Sequence, residues 1–234
     1  MPDSLHAVLF DMDGTLVETE EYWGEALFAL ARRLGGRLSP AARRATVGSS
    51  MRTSMGILYD DLGVTRSEEQ LLADARWVED TTAGLLAQGI TWRPGAYGLI
   101  AAVREAGLPT ALVTTTPRSV ATLVLDHIEA AFPDGPAFDM TLCGDEVPAR
   151  KPDPAPYLQA MAWLDVEPSR CVVIEDSVAG VTAGLAAGAA VLGVPAMQQV
   201  APAPGLTLRD TLEGVGLPEL AEVLAALEPL PQLG

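Results

Sequence analysis

Lysine is almost missing from this chain: among 234 residues there is one, Lys151. Basic residues as a whole number 15 against 31 acidic ones, a formal charge of −16. That balance excludes binding to a nucleic-acid backbone as the main task. It leaves room for an anionic small molecule, provided its site is locally positive. Cysteine is as scarce. Cys143 and Cys171 are too few for a disulfide framework, neither has a partner at metal-ligand spacing, and both read as core thiols. The start, Met1-Pro2-Asp3-Ser4, lacks the basic and long apolar regions of a secretory leader. No apolar run is long enough for a bilayer; around Ala179 to Val194 the stretch is too short and holds four glycines. The expectation is a soluble, cytoplasmic protein with neither a membrane nor a nucleic-acid partner, monomeric or dimeric.

What the chain has is apolar material. Hydrophobic residues make up 49% and charged residues 20%, which excludes a disordered tail, a collagen-like repeat and a coiled coil. At about 150 residues per domain the length fits one large domain or a core with an insert. Short apolar runs alternate with helical patterns, which predicts a parallel sheet with crossover helices. The expected strands are Ala7 to Phe10, Thr110 to Val113, Met140 to Cys143, Cys171 to Ile174 and Ala190 to Val194. The helices between them are Ala96 to Glu105, Arg118 to Ala131, Ala155 to Leu164 and Ser177 to Ala187, with a last one at Leu217 to Leu227. Gly180, Gly184 and Gly188 share one helical face and let that helix lie close to the sheet.

From Glu18 to Gly89 the pattern holds no strand. It reads as helices at Glu20 to Leu34, Pro40 to Thr46, Ser50 to Leu62 and Ser67 to Leu86, the last opened by a Ser67/Gln70 capping box. A helical block this long is no ordinary crossover. The expected organisation is therefore an α/β core with a Rossmann-like parallel sheet, residues 1–17 and 90–234, carrying an inserted helical cap, residues 18–89. The hinges fall near Val17–Glu18 and Gly89–Arg93.

The densest chemistry follows the first strand, in Asp11-Met12-Asp13-Gly14-Thr15. Ligands of open parallel sheets gather at the carboxyl ends of the strands. A carboxylate there can attack phosphorus, and a second can protonate the leaving oxygen and then deprotonate water. The same residues also suit a helix cap. Val113-Thr114-Thr115-Thr116-Pro117 ends another strand with hydroxyls and amides suited to an anion. Lys151 stands before Pro152, which keeps it out of helical geometry. Glu175-Asp176 follows a third strand. Gathered with Asp11, these carboxylates would repel unless a hard dication such as Mg²⁺ joined them.

Taken in order, Asp-x-Asp-Gly-Thr, Thr114, Lys151 before proline and Glu175-Asp176 resemble the four motifs of the haloacid dehalogenase-like hydrolases. The helical block is similar to the cap of the subfamily that includes phosphoglycolate phosphatase and β-phosphoglucomutase. The resemblance implies Asp11 as nucleophile and Asp13 as general acid/base that also ligates metal through its backbone carbonyl. Thr114, with a backbone amide near Thr115, would hold the transferring phosphoryl, and Lys151 would hold charge on it and on Asp11. Asp176 would ligate Mg²⁺ directly, and Glu175 directly or through water. The second aspartate argues against dehalogenation, and a cap without lysine excludes imine chemistry there. The mutases carry a histidine near the first hinge where this chain has Trp23, which is either core or a wall of the pocket. That favours a phosphatase acting on a small phosphorylated metabolite over a sugar phosphate mutase or a non-catalytic binding module. Gly48-Ser49-Ser50-Met51-Arg52 is similar to the cap loop that touches substrate. Specificity is expected from Tyr22, Trp23, Ser49, Ser50, Arg52 and Arg93, with Arg52 binding the substrate's distal group.

Overall fold

The structure is a computed structural model that describes residues 5–227, so Met1 to Ser4 lie outside it. Six parallel strands form the main sheet: β1 (Ala7–Phe10), β4 (Thr110–Val113), β5 (Met140–Leu142), β6 (Cys171–Glu175), β7 (Ala190–Gly193) and β8 (Leu206–Leu208), in the order β5-β4-β1-β6-β7-β8. The alternation of side chains along each strand sorts the core into two layers. Val8, Phe10, Leu112, Val172, Ile174 and Leu192 pack against α5 (Ala96–Glu105), α6 (Arg118–Ala130) and α9 (Leu217–Ala225). Leu9, Ala111, Val113, Val173 and Val191 face α7 (Ala155–Trp163) and α8 (Val178–Ala186) on the other side. All five expected strands are present, in a sheet buried on both faces. Strand β8 at the edge was not expected, because three residues between prolines and a turn give no periodic signal. The β7 and α8 elements approach closely because Gly184 lacks a Cβ, which would sit 2.9 Å from Val191 and 3.2 Å from Val173.

Four helices stand between β1 and α5: α1 (Glu20–Arg33), α2 (Pro40–Thr46), α3 (Met51–Leu62) and α4 (Glu68–Leu86). They bury a core of their own, built on Leu27, Leu30, Met55, Leu58 and Val78. Ser39, Ser50 and Ser67 each cap a helix through the side chain, and Ser67 with Gln70 completes the capping box.

Where this block leaves and rejoins the sheet, the two linkers pair with each other. Strands β2 (Val17–Glu18) and β3 (Thr91–Trp92) form a two-stranded antiparallel ribbon. Arg93 adds a backbone bond to the Leu16 carbonyl at 2.8 Å and an ion pair to Glu18 at 2.8 Å, and the Tyr22 hydroxyl donates to the Gly89 carbonyl at 2.9 Å. Two residues per strand are too short to read from sequence, yet they join both hinges into one element.

Candidate active site

The carboxyl ends of β1, β4 and β6 and the loop before α7 meet at one point. Asp11 leaves β1, and the positive φ of Gly14 (78°) turns the chain back so that Thr15 donates to Asp11 Oδ2 at 2.9 Å. Lys151 reaches in from the loop after β5. Its ammonium donates to Asp11 Oδ1 (2.7 Å), Glu175 Oε1 (2.6 Å) and the Val113 carbonyl (2.8 Å), so all three of its donors are used. Lys151, Asp11, Glu175 and Asp176 are all buried.

Four ionisable groups out of water need a physical account. Burial and the Glu175 charge push the Asp11 carboxyl up to about 7, against the pull of Lys151. Burial and the Asp11 charge likewise hold Asp176 well above the usual carboxylate range. Burial alone would lower Lys151, but Asp11 and Glu175 outweigh it and hold the amine above its ordinary value. The cluster is thus short of positive charge: one ammonium faces three carboxylates. Ligand oxygens of Asp11, Glu175 and Asp176 lie within 4.8 Å of one another, a set of hard oxygen donors that fits a small dication.

Asp13 sits apart from this cluster and accepts four hydrogen bonds. Thr114 and Thr116 donate to Oδ2 at 3.1 and 2.7 Å from the core side. Thr19 and the Trp23 indole donate to Oδ1 at 2.5 and 3.4 Å from the first hinge and α1. Helix α1 and the loop after β4 therefore meet on a single carboxylate.

A cavity between the sheet ends and the helical block is lined by Asp11, Asp13, Thr115, Lys151 and Asp176 on one side. Trp23, Ser49, Glu20 and Arg43 stand on the other. Of the specificity candidates, Trp23 and Ser49 reach it. Arg52 does not. Helix α3 begins at Met51, so Arg52 turns outward, with 62% of its side chain exposed and paired to Glu68. It lines an outer cleft with Ser50, a cleft that Ser49 and Lys151 also border. Tyr22 and Arg93 are spent on the hinge.

Three contributors carried no usable sequence signal. Glu20 and Arg43 pair across the cavity wall at 3.0 Å, both nearly buried, whereas charges on helices ordinarily read as solvated surface. Burial lifts the Glu20 carboxyl and Arg43 opposes that. Thr116, in the hydroxyl-rich run after β4, spends its hydroxyl on Asp13. Tyr157 resembles plain core, yet its hydroxyl donates to Glu175 Oε1 at 2.7 Å and its ring lies 4.9 Å from the Lys151 ammonium. Cys143 and Cys171 are buried free thiols that burial pushes up to about 12.

Acids and a lysine at strand ends, facing a helical block across a cavity, are the layout of a capped α/β enzyme. The chain belongs to the haloacid dehalogenase-like hydrolases, a family that matches residues 5–188. It is 35% identical to hexitol phosphatase A of Escherichia coli K12 over 189 residues, 80% of this chain and 82% of that protein. Among solved structures it is similar to CbbY of Rhodobacter sphaeroides in complex with xylulose-(1,5)bisphosphate. That match has a TM-score of 0.77 and 28% identity, covering 96% of this chain and 100% of that one. A β-phosphoglucomutase of Clostridium difficile matches with a TM-score of 0.82 over 94% of this chain and 97% of that one, and at 22% identity shows the fold alone.

The geometry around Glu175 makes a stability prediction. Tyr157→Phe keeps the ring beside Lys151 and removes one donor to a buried carboxylate, which should lower the unfolding free energy by about 1.5–3 kcal/mol. Urea denaturation of the metal-free protein measures this; an unchanged midpoint would show that the hydroxyl contributes nothing.

Proposed function

We propose that this hydrolase cleaves the phosphate monoester of a small hydroxylated metabolite through an aspartyl-phosphate on Asp11. The observation that carries the reading is the Lys151 bridge between Asp11 and Glu175, beside the independently held Asp13. Asp11 attacks phosphorus, the bond to the ester oxygen breaks, and Asp13 delivers a proton to that oxygen. Water then attacks the phosphoryl, Asp13 takes its proton, and the bond to Asp11 breaks to release phosphate. Lys151 opposes the charge that grows on the phosphoryl oxygens, and Thr114 with the amide of Thr115 orients them. Residues 18–89 act as a cap that excludes bulk water from the cavity.

The acidic cluster suits Mg²⁺, held by the carboxylates of Asp11 and Asp176 and the backbone carbonyl of Asp13. Glu175 has both oxygens already engaged by Lys151, Tyr157, Ser177 and backbone amides, which favours contact through water. When bound, the ion would supply the positive charge the cluster lacks and would offset charge on phosphoryl oxygens beside Asp11.

Hydrolysis, not phosphoryl migration, is supported by Trp23, whose indole donates to Asp13 and has no basic nitrogen with which to accept. The relatives support an ester of a sugar or polyol: one is named for hexitol phosphates, another is seen with a sugar bisphosphate. Reduced buried thiols accord with a cytoplasmic enzyme. Among the described residues no helix is long and apolar enough to cross a membrane.

Asp11→Asn should lower kcat on any phosphate ester by at least about a hundredfold with the fold retained, since the amide is a poor nucleophile. A variant keeping a tenth of the rate would exclude covalent catalysis at Asp11.

A second prediction follows from the Asp11 carboxyl, raised from an unfolded value of 3.8 to about 7. A raised carboxyl stabilises the metal-free fold below the unfolded pKa, and that stability is lost as pH climbs through the folded one. Mg²⁺ should therefore raise Tm more at about pH 8 than at about pH 5. Equal shifts at both would mean that the ion binds elsewhere.

A further inference from the structure

The cap side of the cavity says which distal group the substrate can carry. We infer that it takes an uncharged, hydroxyl-bearing leaving group and rejects a second phosphate or a carboxylate. This rests on the phosphatase reading and narrows it.

Two cations line the cavity, Lys151 and Arg43. Lys151 is committed to the catalytic carboxylates. Arg43 is committed to its own wall: Nη2 donates to Glu20 Oε2 at 3.0 Å and to the Glu20 carbonyl at 2.6 Å, and Nη1 donates to Thr46 Oγ1 at 3.1 Å. Both side chains of the pair are 8% exposed. Gly24 on α1 keeps Arg43 there, because a Cβ at that position would lie 2.6 Å from Nε. The guanidinium is wedged between two helices and already neutralised.

An anionic distal group would therefore meet the Glu20 carboxylate with no unpaired cation beside it. A hydroxyl meets a different surface. Glu20 Oε1 receives only a long contact from the Gly48 amide, 3.4 Å, and retains the capacity to accept. The Ser49 and Ser54 hydroxyls, bonded to each other at 2.7 Å, and the Trp23 ring continue an uncharged wall beside Met51. In the outer cleft Arg52 is paired to Glu68, and Arg150, whose Nε donates to the Gly144 carbonyl at 2.7 Å, shares the lining with Asp145.

The test is a panel of initial rates of phosphate release by the Mg²⁺-loaded enzyme. Sorbitol 6-phosphate and glycerol phosphate stand for neutral leaving groups, fructose 1,6-bisphosphate and phosphoglycolate for anionic ones. We expect kcat/KM at least about tenfold higher on the better neutral ester than on either anionic one, which matches the scale of a single unpaired charge contact. Glu20→Gln removes the charge that neutralises Arg43, leaving the guanidinium free to meet an anion, and should narrow that ratio at least about threefold. A wild-type enzyme that prefers the bisphosphate or phosphoglycolate, or uses all esters alike, overturns the inference while leaving the phosphatase reading intact. Release from none of them overturns both. A folded Glu20→Gln enzyme with an unchanged ratio overturns the assignment of the discrimination to this pair; the wild-type panel decides the substrate class even if that variant does not fold.

Discussion

The Lys151 ammonium stands between Asp11 and Glu175 where water is nearly excluded, and the arrangement around it follows from that charge. Three carboxylates cannot share a buried site without compensation, and one ammonium is not enough to complete it. Every nearby donor is recruited accordingly. Thr15 serves Asp11, while Tyr157, Ser177 and two backbone amides serve Glu175. The parallel sheet brings these groups together because β1 and β6 are neighbours in register and both end at the same edge. The remaining deficit of positive charge is what a dication would supply, and that same charge would favour an anionic phosphoryl group beside Asp11.

The helical block enters the same network through Asp13. Two of its four hydrogen bonds come from the core and two from Thr19 and Trp23, which lie where the chain leaves the sheet. The paired hinges, fastened by the Arg93–Glu18 ion pair and the Tyr22 hydroxyl, hold that exit in place. Any movement of α1 is thus felt at Asp13, the group assigned to proton transfer. On the proposed reading, cap position and acid–base chemistry would share residues.

Much of this was legible in the sequence, for an identifiable reason. Asp11, Asp13, Thr114 and Glu175-Asp176 each stand at or just after the end of a short apolar run, and Lys151 stands before a proline; a parallel sheet collects such positions at one edge. The structure gathers Asp11, Lys151, Glu175 and Asp176 in one cluster and places Asp13, held by Thr114, on the same cavity. Glu20, Arg43 and Tyr157 were not legible, since their chemistry depends on partners that the sequence does not place beside them. Arg52 shows the same limit from the other direction. It stands one residue inside a helix whose cap is Ser50, and the helical rotation at that point carries it to Glu68 and away from the cavity. Ribbon β2–β3 and strand β8 were missed because two or three residues hold no period.

The central claim is that Asp11 carries the phosphoryl group during turnover. Rapid acid quenching of the enzyme with sorbitol 6-phosphate and Mg²⁺, followed by peptide mass spectrometry, addresses it directly. The account predicts a phosphoryl adduct confined to the peptide containing Asp11, formed within the first turnover and absent from Asp11→Asn. Steady release of phosphate with no adduct on that peptide at any quench time would contradict it.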